Sequence, residues 1–374
     1  MVTITALLII TLVSFVECIC VSEHNGMCSR LSDVTTRNNW TDLILKDKPN
    51  EILRVGTFQN LEHLKRLVIT EKLTDVEPGS FEGLESLESL EITKNKLSVL
   101  REGVFPNFEQ LLVLDLSQNG IEKIDVGIFG YSVIKVLDLS GNKLKTLLAG
   151  EVNLPKLENL TLSRNQLTTI DVAAFFSDLE NLDLSRNNLE SINVEMFANL
   201  HKLKVLNLSH NRFSFVEKVP SLRNLEILDI SHNQFGSAGK EAFASLPRLR
   251  CLHLNNNKLT HIFKEMFPKS SRITELYLHM NYLTSLFDDV GTNLSNLKQI
   301  TLGGNPWICQ CLRHIMVYLM LNNVGLPRCD TEFFGGGTSP ICFAVPAETC
   351  NGPTIFGMEG DVAEFRKEIV NYAC

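Results

Sequence analysis

Leu157-Glu158-Asn159-Leu160-Thr161-Leu162-Ser163-Arg164-Asn165 decides the fold of this chain. Three aliphatic residues stand at spacings of three and then two, and an asparagine closes the segment three residues after the last. The same pattern recurs at Leu87, Leu90, Ile92 and Asn95. Ten closing asparagines follow one another at nearly one interval: Asn95, Asn119, Asn142, Asn165, Asn187, Asn211, Asn233, Asn257, Asn281 and Asn305. The period is about 24 residues, which marks a stack of repeats and not a globular domain built around a catalytic cleft.

The Leu-x-Leu step has the two-residue period of a strand, so both leucines face one way and the residue between them faces the other. One such strand cannot bury its apolar side alone, but stacked on copies of itself it contributes to a continuous core. The asparagine follows the strand, where the chain must turn. Its amide both donates and accepts, which predicts a ladder of bonds to the backbone of adjacent coils. Phe58 and Leu61, Phe81 and Leu84, Phe197 and Leu200, and Phe243 and Leu246 supply a second apolar row that closes the coils. Leu64, Leu67 and Ile69 extend the array backwards with Lys72 near the asparagine place, and Trp40, Leu43 and Leu45 fit less well. The expected architecture is α/β: a curved solenoid over residues 40–305 with a parallel sheet on its concave face. About twelve coils at roughly 4.8 Å per strand make the sheet about 50–60 Å along its arc.

The ends read differently. Residues 1–18 have the apolar run of a secretory signal, from Leu7 to Phe15, with Val16 and Cys18 before the expected cut and no basic start. That run is too short to span a bilayer, and residues 315–321 are better read as a cap helix than as a membrane span. Phe365-Arg366-Lys367-Glu368-Ile369 lacks the hydrophobic tail of a lipid-anchor signal. The expected product is secreted and extracellular.

Cysteines avoid most of the array and gather at its ends. Cys20 and Cys28 fall in an N-terminal cap over residues 19–39, and Cys309, Cys311, Cys329, Cys342, Cys350 and Cys374 in a C-terminal cap over residues 306–374. A solenoid needs its terminal core covered, and disulfide-bonded caps suit an oxidising compartment. The preferred pairing closes Cys20 with Cys28, joins Cys309 and Cys311 to later cap cysteines, sets Cys329 against Cys374 and leaves Cys251 unpaired. A bridge between two molecules through Cys374 is the rival. Four sequons, at Asn39, Asn159, Asn207 and Asn293, mark candidate glycosylation sites.

A formal net charge of -8 argues against nucleic acid, which requires clustered Lys and Arg. No G-x-S-x-G, H-E-x-x-H or phosphate-binding glycine loop appears, and Gly335-Gly336-Gly337 reads as a flexible loop, so no enzyme and no cofactor is expected. Cys309-x-Cys311 is too tightly spaced for a usual zinc finger. His210, His232, His253 and His279 lie on neighbouring coils too widely spaced for converging metal ligation. Cys251, one residue before Leu252, reads as a small, semi-buried residue.

These repeats, with Asn305-Pro306-Trp307-Ile308-Cys309-Gln310-Cys311 after them, resemble the extracellular leucine-rich repeat proteins and the opening of their cysteine-rich cap. Leu312-Arg313-His314-Ile315 stands where that cap has a short helix, and Pro340-Ile341-Cys342 and Pro346 to Cys350 resemble its closing half in insect secreted members. In organisation the nearest likeness is to the insect leucine-rich immune proteins, which circulate in haemolymph and bind complement-like thioester proteins. The chain departs from them in lacking an adjacent cysteine pair and a coiled coil after the repeats, and in its abbreviated N-terminal cap. The resemblance implies a leucine-rich repeat solenoid and a secreted recognition module. Its partner would be an extracellular protein, either a complement-like thioester protein or another leucine-rich repeat chain. A matrix, adhesion or developmental co-receptor role is the alternative.

The residue between the two strand leucines projects from the concave sheet. That column reads Val68, Glu91, Asp115, Asp138, Thr161, Asp183, Asn207, Asp229, His253, Tyr277 and Thr301. The residue before each closing asparagine gives a second column: Lys94, Gln118, Gly141, Arg164, Arg186, His210, His232, Asn256, Met280 and Gly304. Charges in the middle coils keep a sheet face soluble and partly neutralise one another. In the last coils His253, Tyr277, His279 and Met280 replace them with rings and a thioether, the content of an interface centre. They are the first candidates for partner binding, and Asp115 and Asp138 the second.

Overall fold

A computed structural model describes residues 41–46, 51–59, 61–70, 73–105, 108–130, 132–171, 177–191, 194–197, 199–286, 293–326 and 342–343. The expected signal segment, the N-terminal cap with Cys20, Cys28 and Asn39, and Cys329, Cys350 and Cys374 of the C-terminal cap lie outside the described residues.

Twelve strands form one parallel sheet in unbroken chain order, one strand per coil, from Asp42–Lys46 to Gln299–Thr301. The register follows the leucines: Leu90, Leu114, Leu137, Leu160, Leu182, Leu206, Leu228, Leu252 and Leu276 pair in succession and end on Ile300. Each is at most 2% exposed, and Leu162, the second strand leucine of its coil, is fully buried. The opposite row is buried too, and Phe58, Phe81, Phe105 and Phe129 stack ring on ring with centroids 5.8–5.9 Å apart. Short two-residue pairs such as Val99–Leu100 with Lys123–Ile124 tie the return side of successive coils.

The asparagine ladder has the predicted form. Asn187 Nδ2 donates to the carbonyls of Leu162 in the preceding coil and Leu184 in its own, both at 3.0 Å, and its Oδ1 accepts the N–H of Leu167 at 3.0 Å. Asn165, Asn211, Asn233, Asn257 and Asn281 repeat the double donation. All ten residues that precede a ladder asparagine have left-handed backbone, with φ between 52° and 67°. Eight of the ten are not glycine, a conformation that costs energy for a residue with a Cβ. An N–H bond to the next coil offsets that cost: Arg164 N donates to Ser185 O, Arg186 N to Ser209 O and His210 N to Ser231 O, at 2.9–3.0 Å.

At the C-terminal end Trp307 is fully buried and its Nε1 donates to Leu302 O at 2.8 Å. The cap helix is longer than expected: it runs Cys309–Leu321 and begins at the first cap cysteine, not at Leu312. Cys311, Leu312, Ile315 and Leu319 face the core from it at helical spacing. Cys309 and Cys311 are disulfide-bonded, and Cys251 is a free thiol. Among the described residues no helix is long and apolar enough to cross a membrane.

Candidate protein-binding face

The strand phase places the outward column as read from the sequence. Asp115, Asp138, Asp183, Asn207, Asp229, His253 and Tyr277 are each half-buried beside a buried leucine. The two ends of the column keep that phase, paired with Glu91 and Tyr277, but are covered: Val68 is 7% exposed and Thr301 only 1% exposed. Thr301 is covered by His279, whose Nδ1 lies 2.7 Å from Thr301 Oγ1.

The acidic members have a local task that residue spacing alone did not reveal. Asp115, Asp138, Asp183 and Asp229 each accept, through Oδ1, the N–H of the serine two residues on, at 2.7–2.9 Å. Asn207 does the same for Ser209 at 3.0 Å. These are Asx turns that end each strand before the left-handed residue. One oxygen of each carboxylate is therefore engaged inside the coil, which narrows what Asp115 and Asp138 offer to a partner. Burial pushes the Asp138 and Asp183 carboxyls above their usual range, opposed by the bonds from Ser140 and Ser185.

In the last coils the pattern changes. His253 and Tyr277 stand on adjacent strands with ring planes 2° from parallel and centroids 4.2 Å apart. Tyr277 donates its hydroxyl to Glu275 Oε2 at 3.0 Å. Cys251 Sγ lies 3.1 Å from His253 Nε2 and 3.7 Å from Glu275 Oε2. Burial, with Glu275 and Asp229 nearby, pushes the Cys251 thiol up to about 12, and burial lowers the His253 imidazole. That is the opposite of the thiolate–imidazolium pair a cysteine nucleophile requires. His279 is half-buried with its Nδ1 against Thr301, and Met280 lies over Gly304. His253, Tyr277, His279 and Met280 are all half-buried, so each leaves part of its side chain to the concave face.

His210 and His232 form a second stack, with centroids 4.0 Å apart and planes 9° from parallel. Burial, then the neighbouring His232 and Arg186, brings His210 down to about 4. Burial, then His232 and His253, does the same to His279. Their rings are neutral at neutral pH. Plane-to-plane stacking does not aim two ring nitrogens at one ion, and among the described residues no group of three potential ligands converges on a metal position.

The sequons differ in their surroundings. Asn159 lies in the column beside Thr161, and its Oδ1 accepts the amide of Asn181. Asn207 lies in the Asp column itself, and Asn293 Nδ2 donates to Lys264 O at 2.7 Å.

A stacked parallel-sheet solenoid with a concave face of half-exposed columns defines a repeat protein built for surface recognition. The leucine rich repeat family model matches residues 41–97, 85–144, 110–167, 155–213 and 223–282, and the chain belongs to that family. No curated protein matches its sequence. Among solved structures the leucine-rich repeat domain of APL1B aligns with a TM-score of 0.60 at 22% identity, covering 83% of this chain and 82% of that one. The LRIM1/APL1C complex aligns at 0.59 with 25% identity over 74% of this chain and 50% of that one. The octameric complex of Latrophilin 3, Unc5D and the leucine-rich repeats of FLRT2 aligns at 0.60 with 20% identity, over 78% and 90%.

Proposed function

We propose that the chain is a secreted recognition module that binds another extracellular protein through its concave face, centred on His253, Tyr277, His279 and Met280. The observation that carries this reading is the His253–Tyr277 stack, which replaces the aspartate column in the last coils. Tyr supplies a large rigid contact area with a polar tip, and Met an adaptable one, as interface centres require. Asp115 and Asp138 form the second-choice patch. Secretion is supported by the apolar run from Leu7 to Phe15 and by the cysteines gathered at the two ends.

An innate immune role rests on the resemblance to insect leucine-rich immune proteins, with a complement-like thioester protein or another leucine-rich repeat chain as partner. Glycans at Asn159 and Asn207 would stand two coils apart, roughly 10 Å, on either side of Asp183. That gap is too narrow for a protein to lie flat, and it leaves the His253–Met280 end open. Affinity purification from extracellular fluid, followed by mass spectrometry, identifies the partner. Transcript induction by infection supports the immune role, whereas steady expression at cell contacts supports an adhesion or developmental co-receptor role instead.

A further inference from the structure

The cap helix Cys309–Leu321 is apolar on two sides. Its inner side covers the end of the core through Cys311, Leu312, Ile315 and Leu319. On its outer side Val317, Met320 and Leu321 are 49%, 79% and 81% exposed. Gln310, Arg313, His314, Val317, Tyr318 and Leu321 fall at helical spacing and line an open cleft of about 580 Å³. Single exposed apolar side chains are ordinary, whereas a contiguous group on the last turns of one helix marks a surface that meets another. The helix carries a basic residue at Arg313 and no acidic one.

Two features of the chain fit that surface. It returns to this end of the solenoid at Cys342–Phe343, which pairs with Trp307–Ile308 just before the helix. Residues 344–374 follow, outside the described residues. In their sequence Asp361 stands three residues before Glu364, the order that opens a helix. Val362, Phe365, Ile369 and Tyr372 then recur at spacings of three, four and three, the pattern of one helix face. Glu364 and Glu368 each precede an apolar member by one residue and so share one flank of that face.

We propose that residues 361–373 dock as an amphipathic helix on the outer face of the cap helix, with Phe365 and Ile369 over Val317 and Leu321 and the acidic flank towards Arg313. Seventeen residues separate Phe343 from Asp361 and span up to roughly 55 Å, more than the about 20 Å of the cap helix. Size selects the occupant. The outer face is about 20 Å long and about 10 Å across, roughly 200 Å², against about 800 Å² per partner in a standard interface. So small a face holds a second copy or a free protein only weakly. A tethered segment meets it at an effective concentration on the order of millimolar, where a small contact is enough.

The test is hydrogen exchange of the full chain, read by mass spectrometry on peptides covering residues 361–373, beside sedimentation over a wide range of concentration. Val317→Gln with Leu321→Gln alters only the exposed side of the cap helix, and Phe365→Gln with Ile369→Gln only the tail. Glutamine is a good helix former, so neither pair breaks a helix, and a melting curve confirms that the repeats fold. The amides of residues 361–373 are expected to be protected in the parent chain and to exchange about tenfold faster or more in either pair, with exchange at Glu275–Tyr277 unchanged. Unprotected exchange of residues 361–373 in the parent, or protection that survives Val317→Gln with Leu321→Gln, overturns the proposal. A dimer that dissociates on dilution and is abolished by Val317→Gln with Leu321→Gln assigns the face to a second copy and overturns it as well.

Discussion

Asn187→Ala isolates the ladder from the rest of the repeat. Asn187 is 6% exposed, and its amide makes three short bonds: Oδ1 to Leu167 N, and Nδ2 to Leu162 O and Leu184 O. The carbonyls are doubly served. Leu162 O also accepts from Asn165, and Leu184 O from Asn211, so each keeps one donor in the variant. Leu167 N has Asn187 Oδ1 as its acceptor, and the variant leaves it buried and orphaned. One orphaned N–H costs about 1–3 kcal/mol and two lost bonds to still-served carbonyls about 1 kcal/mol each, so a loss of about 3–5 kcal/mol is expected. Asn187→Asp separates donor from acceptor. It keeps the acceptor for Leu167 but sets a carboxylate oxygen against two carbonyls, so it should be worse than alanine at pH 7 and partly recover near pH 4. Urea unfolding followed by far-UV circular dichroism reads both. A cost for Asn187→Ala below about 0.5 kcal/mol, the level of an ordinary surface change, refutes the ladder as a stabilising element.

Leu162→Asp places an unpaired charge in the continuous core, and it should cost several kcal/mol and block secretion; normal secretion and melting would mean that the strand phase is wrong. Acid should weaken the fold through its buried histidines. His210 and His279 go from 6.5 to about 4, so below pH 6.5 the unfolded chain takes up protons that the native state refuses. The penalty is absent above pH 6.5 and complete below about 4, on the order of 3 kcal/mol for the more buried His279. The raised carboxyls of Asp138 and Asp183 act in the opposite sense as pH falls through them. Melting temperatures across pH 7 to 4.5 check this, and His279→Gln should flatten the slope. On a non-reducing gel the chain should run as a monomer; a dimer that collapses on reduction and is absent in Cys374→Ser would mean that Cys374 bridges two molecules.

The repeat was legible because each strand leucine and each ladder asparagine must fall at one phase, and Leu160, Leu162 and Asn165 leave no second way to bury that set. The left-handed residue was not, because a Cβ hides it at eight of ten positions; Gly141, Gly304 and Asn256 were its compositional trace. The Asx turns have a readable signal in the recurrence Asp115-Leu116-Ser117 and Asp138-Leu139-Ser140, but an acid two residues before a serine is too common to announce a bond. The burial of Thr301 was hidden for a different reason. Strand phase predicts direction but not whether a neighbouring coil, here through His279, closes over the residue. Of the candidate site, the column was readable, whereas the stacking of His253 on Tyr277 and of His210 on His232 depends on rotamers that spacing does not specify.

The proposed docking of a protein partner on the concave face at the last coils rests on Tyr277 and His279. Isothermal titration of the purified partner against Tyr277→Ala with His279→Ala, beside Asp115→Arg with Asp138→Arg, tests it most directly. At least a tenfold loss is expected for the first pair and little change for the second. Unchanged affinity in the first and loss in the second would place the site at the N-terminal patch and contradict it.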